Sequence, residues 1–310
     1  MKAISLITKY QGIHILIMNL LFTVCCLTNV SGQEMEIKPK DQSGCIPYHE
    51  KSGRLLLEAS YNNESFLMII DTYCHFSQLP SDWVVKKWKL KKTPYRHSTI
   101  DVNNKRSKVR LRLMDTISIS NTFSASNFYI RPNKAFNSFE VGILGLDFFN
   151  DLNWKFDFRN NEICYNTQPY QLLNTLISNQ FDRKTEFPWL TISIDQNEQK
   201  VIVDLGAGND MMIPAGSKLG AYLIEKYKLI PRSVDSDGAN KLGGSDIQYK
   251  IKLDSINIQG TPVKDVEIII SENTKSSYIG CGILKRGRLY LNFKGDSSSR
   301  GEIALDLYKN

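Results

Sequence analysis

Two kinds of apolar pattern run through the chain. In Val109–Leu113 (VRLRL) and Tyr249–Leu253 (YKIKL) apolar and polar residues alternate strictly. A period of two buries one side-chain set and wets the other, which predicts half-buried antiparallel strands. In Phe66–Ile70 (FLMII) and Val201–Val203 (VIV) the apolar run is uninterrupted, which predicts strands buried on both faces. Each of these buried strands ends directly on an aspartate, Asp71 in one case and Asp204 in the other. The aromatics Phe148, Phe149, Trp154, Phe156 and Phe158 fall on core-facing positions of a further strand region. A mainly-β chain follows from these patterns.

The same patterns occur twice. Leu56–Asp71 (LLEASYNNESFLMIID) resembles Leu190–Asp204 (LTISIDQNEQKVIVD), and both read as strand, polar turn, strand, aspartate. Ile143–Phe158 (ILGLDFFNDLNWKFDF) aligns without a gap to Tyr278–Phe293 (YIGCGILKRGRLYLNF), each opening on two apolar residues and a glycine. Between these anchors Met114–Ile119 (MDTISI) parallels Leu253–Ile258 (LDSINI). The spacing agrees as well: 74 residues separate Asp71 from Gly145, and 76 separate Asp204 from Gly280. Agreement in order, type and distance predicts an internal duplication. Two β-rich lobes are expected, at 45–168 and 187–310, joined by a polar segment around Asn166–Glu186.

Positions 1–32 carry Lys2 and Lys9, an apolar stretch from Ile13 to Leu27, and then Val30-Ser31-Gly32. This reads as a secretory signal peptide cut after Gly32, so the protein is expected to be exported, periplasmic or secreted. A lipid anchor on Cys25 or Cys26 is the alternative. No later segment has the roughly 18–20 continuous apolar residues of a membrane span. Loss of Lys2 and Lys9 takes the formal charge from +7 to +5. The basic runs Lys86–Lys92, Lys105–Arg112 and Lys285–Arg288 read by default as solvated faces. No nucleic-acid-binding signature accompanies them, so no nucleic-acid partner is expected.

Four cysteines follow the expected cleavage point: Cys45, Cys74, Cys164 and Cys281. In an exported chain they permit up to two disulfides whose connectivity sequence alone leaves open. Cys45 and Cys164 flank the first lobe and form one candidate pair. Without a CxxC or HxxxH pair, no metal site is expected, and no organic cofactor either. His75 and His97 are isolated histidines.

A carboxylate at the end of an apolar run is costly unless its charge is shared or hydrogen-bonded. Two such groups at equivalent places in two copies point to one shared site, provided that the copies pack around a pseudo-twofold axis. Two carboxylates that close hold one proton between them. The ionised member then takes a proton from water while the protonated member polarises a carbonyl.

These residues resemble the aspartic proteases, in particular two-lobed retropepsin-like members of the kind common among exported bacterial proteins. The resemblance rests on Ile69-Ile70-Asp71-Thr72 with Ile143-Leu144-Gly145, and on Ile202-Val203-Asp204-Leu205-Gly206-Ala207 with Tyr278-Ile279-Gly280. It covers residues 50–305. It implies a mainly-β, two-lobed aspartic-protease barrel fold with Asp71 and Asp204 as catalytic residues, Thr72 and Gly206 in supporting positions, and Gly145 and Gly280 behind them. A monomer that hydrolyses a peptide or protein substrate is the implied activity. The resemblance also implies flaps, for which Ile100–Lys108 with an Asn103-Asn104 turn and Asp237–Ser245 are the candidates. The chain departs from the family pattern at Tyr73 and Cys74, where a glycine and a small residue are expected, and at Leu205, where a hydroxyl is expected. An inactive homologue that binds a peptide or protein in the inter-lobe cleft is therefore the alternative reading.

Overall fold

The computed structural model describes residues 36–100, 106–137, 140–172, 176–182, 187–235, 245–294 and 300–308. The expected signal peptide with Cys25 and Cys26, the Asn103-Asn104 turn and residues 237–244 lie outside the described residues.

Strand formation starts locally, at tight turns. Arg54–Tyr61 and Glu64–Ile70 pair antiparallel around Asn62 and Asn63, whose φ angles are 51° and 62°. Trp189–Ile194 and Asn197–Val203 pair in the same way around Asp195 and Gln196, at 49° and 67°. Two successive left-handed residues match the twist of flanking strands, and Asn and Asp tolerate that conformation better than most.

The chain is mainly β. Six strands close into a first ring in the order Arg54–Tyr61, Glu64–Ile70, Val141–Leu144, Gln78–Pro80, Phe123–Asn133, Arg106–Ile119 and back to Arg54–Tyr61. A second ring runs Trp189–Ile194, Asn197–Val203, Tyr278–Ile279, Met211–Pro214, Thr261–Ser271, Ser245–Ile258 and back to Trp189–Ile194. The sequence of antiparallel and parallel pairings around the two rings is identical. Closure removes the exposed sheet edge that would otherwise invite aggregation. Each ring also carries a hairpin arm on its last strand: Lys91–Ile100 on the first and Arg232–Asp235 on the second. These arms flank the two candidate flap turns.

A six-stranded antiparallel sheet joins the halves, in the order Ile177–Asp182, Arg300–Leu307, Gly287–Asn292, Asn153–Asp157, Glu162–Asn166, Ser43–Pro47. Its central pair places Trp154 opposite Leu291 and Phe156 opposite Leu289. The expected polar connector is therefore partly built in, since Ile177–Asp182 is an edge strand of this sheet with Ile177 and Phe181 buried. Cys45 and Cys164 face each other on neighbouring strands and form a disulfide. Under the sheet Trp154 packs edge-on against Phe149 at 5.0 Å and donates its indole N–H to the Phe149 carbonyl at 2.9 Å. Buried aromatics thus hold the region between the first ring and the joining sheet, and Met35–Asn310 form one compact unit.

Candidate active site

Asp71 follows the strand Glu64–Ile70 and Asp204 follows Asn197–Val203, so each ring delivers one carboxylate at the end of a buried strand. The backbone around the two is held alike. Asp71 N–H donates to the Leu144 carbonyl at 3.0 Å, and Asp204 N–H to the Ile279 carbonyl at 2.9 Å. Tyr73 N–H donates to Asp71 Oδ1 at 2.9 Å, and Gly206 N–H to Asp204 Oδ1 at 2.8 Å. Cys74 N–H turns back to the Asp71 carbonyl at 3.3 Å, as Ala207 N–H does to that of Asp204 at 3.4 Å. Leu146 N–H then reaches the Cys74 carbonyl at 2.7 Å, and Cys281 N–H the Ala207 carbonyl at 2.8 Å. Four bonds in one loop have four counterparts in the other.

The loops meet. A Cβ on Gly206 would fall 2.7 Å from Asp71 Cγ, so the close approach of the two loops requires glycine there. Gly145 and Gly280 are equally hemmed in, by the Cys74 and Asn209 carbonyls respectively. The carboxyls of Asp71 and Asp204 are thereby brought close enough for each to act on the other's charge. Burial pushes the Asp71 carboxyl up to about 6, against the pull of its backbone donors and of the Arg54 guanidinium. Burial and the facing Asp71 charge push Asp204 well above the usual carboxylate range. Both are raised because desolvation outweighs every favourable partner.

Thr72 is fully buried and crosses between the rings: its Oγ1 donates to the Val203 carbonyl at 2.6 Å and accepts from Leu205 N–H at 3.0 Å. Leu205 is also fully buried but has no hydroxyl with which to return the contact. The Cys281 thiol donates to the Leu205 carbonyl instead, at 3.3 Å. Tyr73 is half-buried beside the carboxylates, its ring 5.0 Å from Phe187 and 6.3 Å from Tyr278. Exposed His75 stacks on Phe187 at 4.0 Å, and His97 packs on Phe76 at 4.6 Å. The Cys74 thiol donates to the Phe76 carbonyl at 3.1 Å, and burial raises it well above an ordinary thiol, which argues against a reactive thiolate.

Several residues at the site escaped the sequence reading. Arg54 donates from Nε to the Gly206 carbonyl at 3.1 Å and is the cation nearest both carboxylates. Arg54 and Phe187 each lie 17 residues before their aspartate and each reach the opposite loop, but they differ in residue type, so the repeat pattern does not mark them. Asp147 braces the first loop by accepting from Ser77 N–H at 2.9 Å and Ser77 Oγ at 2.7 Å, while Ser77 Oγ accepts from Gly145 N–H at 3.0 Å. Burial pushes the Asp147 carboxyl up to about 7.

Among the described residues the carboxylate and thiol group nearest a metal-binding pattern is Cys45, Glu162 and Cys164, and the disulfide already occupies both thiols. No family model matches the chain, and no curated protein matches it.

Proposed function

We propose that the chain is an aspartic-type peptidase of the two-lobed, internally duplicated kind, hydrolysing peptide bonds with a dyad of Asp71 and Asp204. The observation that carries this reading is the matched pair of loops that bring two raised carboxyls together across Gly206. The two rings with one strand order are the lobes, at 45–168 and 187–310, and the joining sheet relates them. In the singly protonated pair one carboxyl holds the shared proton and the other is ionised. The ionised member takes a proton from the attacking water as the protonated member gives its own to the carbonyl oxygen of the scissile bond. Collapse of the resulting diol returns one proton to the leaving amine, so no covalent enzyme intermediate is needed. The substrate is a peptide or protein in the cleft between the lobes, and the enzyme acts as an exported monomer in the periplasm or outside the cell.

Replacing either aspartate tests the reading. Asp71→Asn and Asp204→Asn each lower cleavage of a peptide library by roughly 10²–10⁴-fold. Undiminished cleavage in either purified variant refutes it.

Tyr73 favours a second reading, a peptide-binding homologue without turnover, because its ring sits on Phe187 beside the carboxylates where the family pattern has a bare glycine. Under this alternative the wild-type protein retains peptides without cutting them, and Tyr73→Gly opens the cleft without creating activity.

A further inference from the structure

Two basic runs that the sequence separates are brought onto one ribbon. Lys91–Ile100 pairs antiparallel with Arg106–Ile119, and the register sets Lys92 directly opposite Arg112, Arg96 opposite Arg110 and Ser98 opposite Lys108. Directly opposed side chains share a face, and along a strand every second residue does so. Lys92, Arg96, Lys108 and Arg110 are exposed, and half-buried Arg112 stands with them. On the other side of the ribbon Leu111 is buried and His97 packs on Phe76, so the cationic face points away from the dyad loops.

Like charges opposed across a ladder are destabilising unless something neutralises them. Among the described residues no carboxylate forms an ion pair with any of the five. The corresponding strand of the second ring supplies an internal control. There Lys250 pairs with Glu267 at 3.2 Å and Lys252 with Asp265 at 3.5 Å. The lysines of that strand are neutralised by its neighbour Thr261–Ser271, whereas the five cations of the first ribbon meet no such carboxylate among the described residues.

The stripe continues into the turn before it. Arg112 donates to the Leu90 carbonyl at 2.8 Å, and Leu90 N–H donates to that of Val84, which joins the ribbon to the segment Trp83–Leu90. That segment adds exposed Lys89 and exposed Val85, with half-buried Trp83 and Trp88 between them. A cationic ribbon adjoining a turn with exposed valine and lysine and half-buried tryptophans has the chemistry of a membrane-surface contact. The tryptophan rings are already engaged with one another at 5.7 Å and with Phe66 at 5.5 and 5.3 Å, which leaves none poised to stack on a nucleic-acid base.

We infer that the outer face of the paired strands Lys91–Ile100 and Arg106–Ile119, with the adjoining Trp83–Leu90 turn, docks the protein on an anionic phospholipid surface. Each lysine or arginine there faces headgroup phosphates, and Val85 enters the interfacial layer. The inference does not depend on peptidase activity.

The test is sedimentation of the full chain with vesicles of phosphatidylcholine alone and of phosphatidylcholine with one third phosphatidylglycerol, at low salt and at about 0.3 M salt. The chain is expected to pellet with the anionic vesicles only, and to release at the higher salt. Lys92→Gln/Arg96→Gln/Arg110→Gln weakens that binding on the order of 100-fold. Lys250→Gln/Lys252→Gln leaves it unchanged, which separates the ribbon from positive charge elsewhere on the surface. The triple variant melts no lower than wild type at low salt, because it loses repulsion and no buried contact. Equal binding to neutral vesicles, an unaffected triple variant, or tighter binding to a single-stranded oligonucleotide than to anionic vesicles would each overturn the inference.

Discussion

Thr72 makes the contact on which the site leans most heavily. Its hydroxyl satisfies the Val203 carbonyl and the Leu205 amide at once, in full burial, and Leu205 offers no reciprocal bond. Thr72→Val keeps the volume and strands both partners, so it should cost about 1–3 kcal/mol in denaturant unfolding and lower activity with it. A change below about 0.5 kcal/mol would mean that the cross-link is dispensable. The raised carboxyls predict a pH effect of definite sign. In the unfolded chain an aspartate titrates at about 3.9, and in the fold burial pushes Asp71 up to about 6 and Asp204 well above the usual carboxylate range. The folded state thus binds protons more tightly, and the associated stability is fully present below the unfolded value and is lost as pH rises through the folded values. Asp204→Asn should accordingly raise the melting temperature at pH 8 relative to wild type, and raise it less or not at all at pH 4. The aspartates, Gly145 and Gly280 were legible in sequence because they repeat, and Thr72 and Gly206 because each keeps one part of the loop pattern beside a repeated aspartate. Arg54 and Phe187 were not, since each acquires its role only when the fold brings it to a loop more than a hundred residues away.

Among the elements, the paired hairpins were the readable part. Period-two alternation, unbroken apolar runs and polar turns at Asn62-Asn63 and Asp195-Gln196 state their own geometry. The shortest strands were not readable: Gln78–Pro80 spans three residues and Tyr278–Ile279 two, too few to show a period. Ile177–Asp182 was hidden in the connector because its two buried residues, Ile177 and Phe181, lie four apart with polar residues between them, a spacing that a helix and a strand share, and its strand partner Arg300–Leu307 is remote in sequence. The disulfide fastens an outer strand of the joining sheet, Ser43–Pro47, to its neighbour Glu162–Asn166. Cys45→Ser/Cys164→Ser should lower unfolding free energy by about 2–4 kcal/mol. Equal denaturation midpoints for reduced and oxidised protein would show instead that the strand pairing holds by itself.

For the whole molecule, the mainly-β class was legible from patterning, whereas the joining sheet was not. Its central register sets Lys155 opposite Tyr290, and no local pattern in either strand specifies a partner so remote. That sheet and the Thr72 cross-link position two loops whose bonding matches one for one. The loop chemistry differs more than the frame does, with Tyr73 against Gly206 and Thr72 against Leu205. The matched pattern accordingly bears on the architecture through many residues and on the proposed reaction through two. If those two act as a dyad, the singly protonated form appears as pH rises through about 6 and is lost when the remaining proton leaves, so cleavage should strengthen through about 6 and fade at alkaline pH. The most direct measurement is digestion of a peptide library by the purified protein from acid to alkaline pH, with and without pepstatin and alongside Asp71→Asn and Asp204→Asn. The account predicts cleavage strongest near neutral pH that pepstatin and each substitution abolish. Intact peptides at every pH, or cleavage that survives the loss of either aspartate, would contradict it.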